Sequence, residues 1–183
     1  MKTIAHILNE AIQTSGCTVF PAIGLPATPL NLQLPSDLRE FYELCGGLDM
    51  FPGAEQEWRF VNPNEVVRAD PFILDKAYTD RPEVYDGTPS ETLYLISVAG
   101  VGPEFITIDF EAKRNGLCFD SYSGDHGTES SKVIALSFTE LLNKLFYWKQ
   151  PGLFWENEFY GYLGQPIERL KLQSLKSPVV RLP

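Results

Sequence analysis

The chain has 183 residues, of which 44% are hydrophobic and 13% aromatic, enough to pack the core of one domain and to exclude an intrinsically disordered protein. Its formal net charge of −9 and pI near 4.7 describe a surface that repels phosphate backbones, so direct nucleic-acid binding is disfavoured and basic partners are steered toward it.

In chain order, Ile4, Ile7, Leu8, Ala11 and Ile12 keep helical spacing, with Thr3 as the cap and Gly16 as the stop. Val19 to Gln33 holds Pro21, Pro26 and Pro29 and reads as an extended connector. A second helix spans Leu34 to Gly47. Pro35 suits its first position, and Asp37 with Glu40 fits a capping box. Leu38, Phe41, Tyr42 and Cys45 share one apolar face, and Gly46-Gly47 supplies the left-handed stop. Leu48 to Gln56 reads as a loop.

Trp58 to Val61 is a predicted strand, and Asn62-Pro63-Asn64-Glu65 a capped helical turn. Arg68 to Glu91 is an acidic insertion, with a short helix expected around Pro71 to Ala77. Leu93 to Val98, Phe105 to Phe110, Leu117 to Tyr122 and Lys132 to Leu136 are further strands. Their turns, Gly100 to Pro103 and Asn115-Gly116, predict an antiparallel meander. Ser137-Phe138-Thr139-Glu140 opens a helix through Leu145 that Pro151-Gly152 closes. Phe154, Trp155, Phe159, Tyr160 and Tyr162 then crowd together, as core or as a dimer seam. Residues 1–164 are expected to form a single domain. The tail, 165–183, is basic: it carries +3 and leaves −12 on the rest.

Cys17, Cys45 and Cys118 are odd in number and form no CxxC pair, so a disulfide framework or a zinc site is not expected. Reduced thiols fit a cytoplasmic protein. His6, Asn9 and Glu10 interrupt the apolar run that a signal peptide needs, and nothing approaches the roughly 20 apolar residues of a membrane span.

Three pieces in this order resemble the SUKH superfamily, the Smi/Knr cell-wall-regulator-like domain. They are the Leu-Pro-x-Asp-Leu-x-x-Phe-Tyr helix ending in Gly46-Gly47, the strand pair of Phe105–Phe110 and Gly116–Asp120 with its Asp120-Ser121-Tyr122 ending, and Val133 to Leu142. The resemblance covers roughly residues 34–146. It implies an α+β fold, a curved and mostly antiparallel sheet flanked by helices. It also implies a non-catalytic protein. Bacterial members are immunity proteins that neutralise a cognate toxin, often a nuclease. Fungal relatives act in cell-wall regulation. The sequence departs from the family pattern at Cys45, where asparagine is usual, in the long insertion, and in the extension after Tyr147.

Chemistry is sparse. A Cys118–His126 thiolate pair is possible in principle, but Cys118 stands mid-strand between Leu117 and Phe119, where a small apolar filler is expected. Ser121, Ser123 and Asp125 near His126 match no nucleophile elbow, and Asp125-His126-Gly127 reads as a turn. Asp109, Glu111, Asp120, Asp125 and His126 are metal-ligand types around one hairpin, yet solvated strand ends carry the same residues. No catalytic, metal or cofactor site is therefore expected. The expected partner is a basic toxin domain, met by one face of Glu55, Glu57, Trp58, Asp109, Asp120, Tyr122 and Asp125. A monomer and a homodimer both stay open. A regulatory scaffold with several weak partners and a metal-dependent hydrolase are the competing readings.

Overall fold

The computed structural model describes residues 1–54, 57–74, 89–99, 104–122, 124–148, 152–156 and 158–174. Eight strands form one open antiparallel sheet in strictly sequential order. They are β1 (Cys17–Val19), β2 (Leu48–Met50), β3 (Trp58–Phe60), β4 (Leu93–Ala99), β5 (Phe105–Asp109), β6 (Cys118–Asp120), β7 (Lys132–Ala135) and β8 (Gly161–Tyr162). The helices are α1 (Ile4–Gln13), α2 (Ser36–Leu44), α3 (Asp70–Ile73), α4 (Phe138–Tyr147) and α5 (Ile167–Ser174). The chain is thus α+β with the meander expected from its turns.

Helices α1, α2 and α4 pack together on the inner face of the sheet. Ile4, Ile7, Leu8 and Ala11 of α1 meet Leu38, Phe41 and Tyr42 of α2 and Phe138, Leu141 and Leu142 of α4 in one core. The sheet supplies Phe60, Ile96, Ile106, Ile108 and Cys118 to the same core, because alternate strand residues face one side. The outer face carries smaller clusters. Leu93, Phe119 and Val133 pack with Leu163 and with Leu170 of α5, and Ala69 and Ile73 pack with Leu95. The first part of the basic tail is therefore docked on the domain; residues 175–183 lie outside the described residues.

Several local expectations are corrected. The capping box of α2 does not form. Pro35 occupies the N-cap, with no side-chain cap bond. Asp37 instead accepts from the Leu38 N–H at 3.0 Å and from the Thr139 N–H at 2.8 Å, tying the start of α2 to α4. Leu48–Met50 is a strand rather than a loop, and Cys17–Val19 is a strand rather than the start of an irregular connector. The insertion's short helix is α3. Residues 75–88 and the expected turn at 100–103 lie outside the described residues.

The Asn62 box is present as drawn, with the Asn62 side chain on the Asn64 N–H and Glu65 reaching back to Asn62. Ser137 caps α4 by accepting from the Glu140 N–H at 3.1 Å, while Glu140 accepts from the Leu136 N–H at 2.8 Å. Ser137→Ala is expected to cost about 1 kcal/mol in urea unfolding, and Ser137→Asp to recover most of it.

Candidate functional site

The ladder register sorts the predicted interface residues by which end of the sheet they occupy. Trp58 pairs with Ala99, Phe105 with Val98, and Asp120 with Ile106. The end of β2 and the start of β3, the end of β4 and the start of β5, and the end of β6 and the start of β7 therefore meet at one end. Glu57, Glu104, Asp120, Tyr122 and Asp125 belong to it. Asp109 does not: it pairs with Leu93 at the opposite end.

At the first end, Asp120 and Glu104 share the inner side of adjacent strands. Burial pushes the Asp120 carboxyl above its usual range; Lys132 and a hydrogen bond with Trp155 oppose this, and Asp125 adds to it. The Glu104 carboxyl is also pushed up, first by burial and then by Asp120 and Glu156. Four carboxylates thus feel one another here, while Asp125 and Glu156 remain exposed. Trp155 forms the floor. It is buried, and its ring lies 5.6 Å from that of Trp58, centroid to centroid. Tyr122 is half exposed, and its ring folds over Gly124, where an added Cβ would stand 3.5 Å away. The Glu57 carboxylate accepts from the Gly53 N–H at 2.6 Å and so shapes the loop between β2 and β3.

Two predicted contact residues are corrected to core. Trp58 is buried beneath Trp155. Asp109 is fully buried, accepts from Arg114 Nε at 2.6 Å and from the Glu111 N–H at 2.8 Å, and fixes the loop between β5 and β6. Burial raises its carboxyl, opposed by Thr92, Arg114 and the Glu111 N–H. Neither side chain can touch a partner as folded. Glu55 lies outside the described residues.

The catalytic candidates are separated by the sheet itself. Cys118 is fully buried in the inner core, and burial pushes its thiol well above the usual value. His126 sits at the other face, with Nε2 2.9 Å from Asp70 Oδ1 and both side chains fully buried. Ser121 is bonded to Thr107 at 2.7 Å. The metal-ligand candidates divide between the two ends of the sheet, and among the described residues no group of three or more His, Cys, Asp or Glu is close enough to hold an ion. An open groove of about 380 Å³ along α1 is lined by His6, Asn9, Glu10, Gln13, Thr14 and Phe146, and His6 there is paired with Glu10 at 3.2 Å.

Sequence reading misses Glu104, Glu156 and the Asp70–His126 pair. Glu104 is accessible by counting register back from the β5–β6 hairpin. Glu156 and Asp70 reach their partners through turns that carry no such periodic signal.

Among the described residues, no helix is long and apolar enough to cross a membrane. The chain is similar over nearly its whole length to "Immunity protein YokJ" of Bacillus subtilis (strain 168). The two are 33% identical over 172 residues, which span 93% of this chain and 99% of that protein. A family model matches residues 28–144, over the three pieces that carried the resemblance, and the chain belongs to the SMI1 / KNR4 family (SUKH-1).

Proposed function

We propose that the protein is a cytoplasmic immunity protein that neutralises a cognate toxin by binding it, with no reaction of its own. The near full-length likeness to an immunity protein carries this reading. The contact face is the acidic end of the sheet: Glu104, Asp120, Asp125 and Glu156 at the rim, Tyr122 as the exposed aromatic anchor, and Glu57 beside them. Carboxylates raised by burial and by one another are relieved when a lysine or arginine enters between them. A basic toxin domain is the partner this field fits, and its approach is accelerated by the net charge of −9.

The test is co-expression with any toxin-like protein that a neighbouring gene encodes. A stable complex is expected that weakens as salt rises. Asp125→Lys with Glu156→Lys is expected to weaken it about 10- to 100-fold, chiefly by slowing association, without loss of fold, since both residues are exposed. Acidification gives a second readout. The raised carboxyls of Glu104 and Asp120 take up protons first as pH falls from neutrality, so the complex weakens before ordinary carboxylates titrate. Unchanged affinity in the double variant would remove the acidic end from the interface. Absence of any complex with a neighbouring basic protein would remove the immunity reading itself.

A further inference from the structure

The turn between β6 and β7 carries two of the contact residues, Tyr122 and Asp125, and its own hydrogen bonds make it one body. The Tyr122 carbonyl accepts from the Asp125 N–H at 3.0 Å and from the His126 N–H at 2.9 Å. The Asp125 carbonyl accepts from the Thr128 N–H at 3.2 Å, from Thr128 Oγ1 at 2.9 Å and from Ser131 Oγ. The two ends of the turn are tied to neighbouring strands. The Ser121 N–H donates to Phe105 O at 2.9 Å, and Ser131 O accepts from the Leu163 N–H at 2.9 Å. Its middle is held through His126.

His126 Nε2 lies 2.9 Å from Asp70 Oδ1 inside the protein, with both side chains fully buried. An ionised carboxylate only accepts, so Nε2 carries the hydrogen. Nδ1 is buried too and has no hydrogen-bond partner among the described residues. One polar bond therefore holds the ring. Asp70 also accepts from Arg68, at 3.3 Å from Nε and 3.0 Å from Nη2, and from Ser90. Arg68 and Ser90 stand at the two ends of the 68–91 insertion, so one carboxylate gathers both ends and the turn. This hub is fixed to β4. The Ala69 N–H donates to Leu93 O at 3.0 Å, and Val67 O accepts from the Leu95 N–H at 2.9 Å. Glu104, the residue before β5, belongs to the β4–β5 side of the acidic end, and Tyr122 and Asp125 belong to the turn. The Asp70–His126 bond spans these two halves.

We propose that Asp70 and His126 are positioning residues for toxin binding: the buried pair holds Tyr122 and Asp125 at the spacing from Glu104 that the toxin meets. Neither side chain touches the partner, since both are fully buried. The proposal rests on the acidic end being the contact face. A contact residue held in place before docking loses less freedom on docking, and loss of that hold appears as faster dissociation. Association is set by the exposed carboxylates and stays as it is.

The test is the kinetics of binding of full-length variants to the purified toxin-like protein of a neighbouring gene. His126→Leu removes the bond and keeps an apolar body, and about 10-fold faster dissociation with unchanged association is expected. His126→Gln places an amide N–H near the position of Nε2 and is expected to return dissociation to within about twofold of wild type. In a background of Tyr122→Ala with Asp125→Ala, His126→Leu is expected to change dissociation less than about twofold, because the residues it positions are gone. A general loss of stability would lower the folded fraction equally in both backgrounds. Should His126→Leu fail to fold, Ser90→Ala takes its place, removing one donor from the hub, with about 3-fold faster dissociation expected. Hydrogen exchange on the free protein needs no toxin: the His126 and Thr128 amides are expected to lose protection in His126→Leu. Unchanged protection, or a toxin released equally slowly by wild type and His126→Leu, would overturn the proposal and leave the immunity reading standing. Absence of any complex with wild type would remove that reading, and this proposal with it.

Discussion

Replacing Gly46 by alanine is expected to destabilise the fold by about 3 kcal/mol and to lower the melting temperature by roughly 6–12 °C. The cause is a close approach of two backbones. An added Cβ would stand 2.3 Å from Pro21 O and 3.3 Å from Pro21 C, and neither is the far end of a flexible side chain. Relief requires the Phe20–Pro21 segment to move off, which breaks the bond from the Gly46 N–H to Phe20 O. Gly47 adds a different constraint, with φ at +138° and an added Cβ 2.9 Å from Phe60 O. Calorimetry of Gly46→Ala decides the matter. A melting point within about 2 °C of wild type would show that this segment yields more easily than its hydrogen bonds suggest.

The second large effect is expected at Asp70. Asp70→Ala should cost about 3–4 kcal/mol, because it leaves His126 buried without its partner and takes the carboxylate away from Arg68, whose Nη2 is 3.0 Å from it. Burial alone would push the Asp70 carboxyl up, but hydrogen bonds from His126, Arg68 and Ser90 outweigh it and hold the group below its usual range. A depressed carboxyl stabilises above its unfolded value of about 3.9, and that contribution is lost as pH falls through the lower folded value. Urea unfolding at pH 7 should therefore separate wild type from Asp70→Asn clearly, and the gap should shrink steadily below about pH 4. A gap independent of pH would mean that Asp70 acts through shape and not through charge. The pair also joins the start of the 68–91 insertion to the turn after β6, where an added Cβ at Gly127 would stand 2.5 Å from Ser90 Cβ.

The elements are legible where one periodicity governs many residues. The inner faces of α1, α2 and α4 and the meander of β4 to β7 follow from spacing alone. Two of the three-residue strands, Leu48–Met50 and Cys17–Val19, escape, because they hold too few residues for alternation to show and are defined by their neighbours, whereas Trp58–Phe60 and Cys118–Asp120 fall within predicted strands. The double glycine reads as a left-handed helix stop, yet Cys45 ends α2 in extended backbone and Gly46 is small because Pro21 passes over it. In the candidate site, the type of residue is visible in the sequence and its depth is not. Asp109 and Asp120 look alike in sequence, but one lies inside the sheet with Arg114 and the other at its rim. Trp58 is readable as aromatic, and only the packing of Trp155 against it shows that it is core.

The sheet order, each strand beside the next in sequence, has a consequence for how partners can change. Every second connection returns to the same end, so the strand ends that flank the β2–β3, β4–β5 and β6–β7 connections share one end of the sheet although they are far apart along the chain. Each connection can be lengthened, shortened or recoded without rethreading a strand. A lineage under pressure from a changing antagonist can thus rewrite its contact face one hairpin at a time and leave the helices as they are.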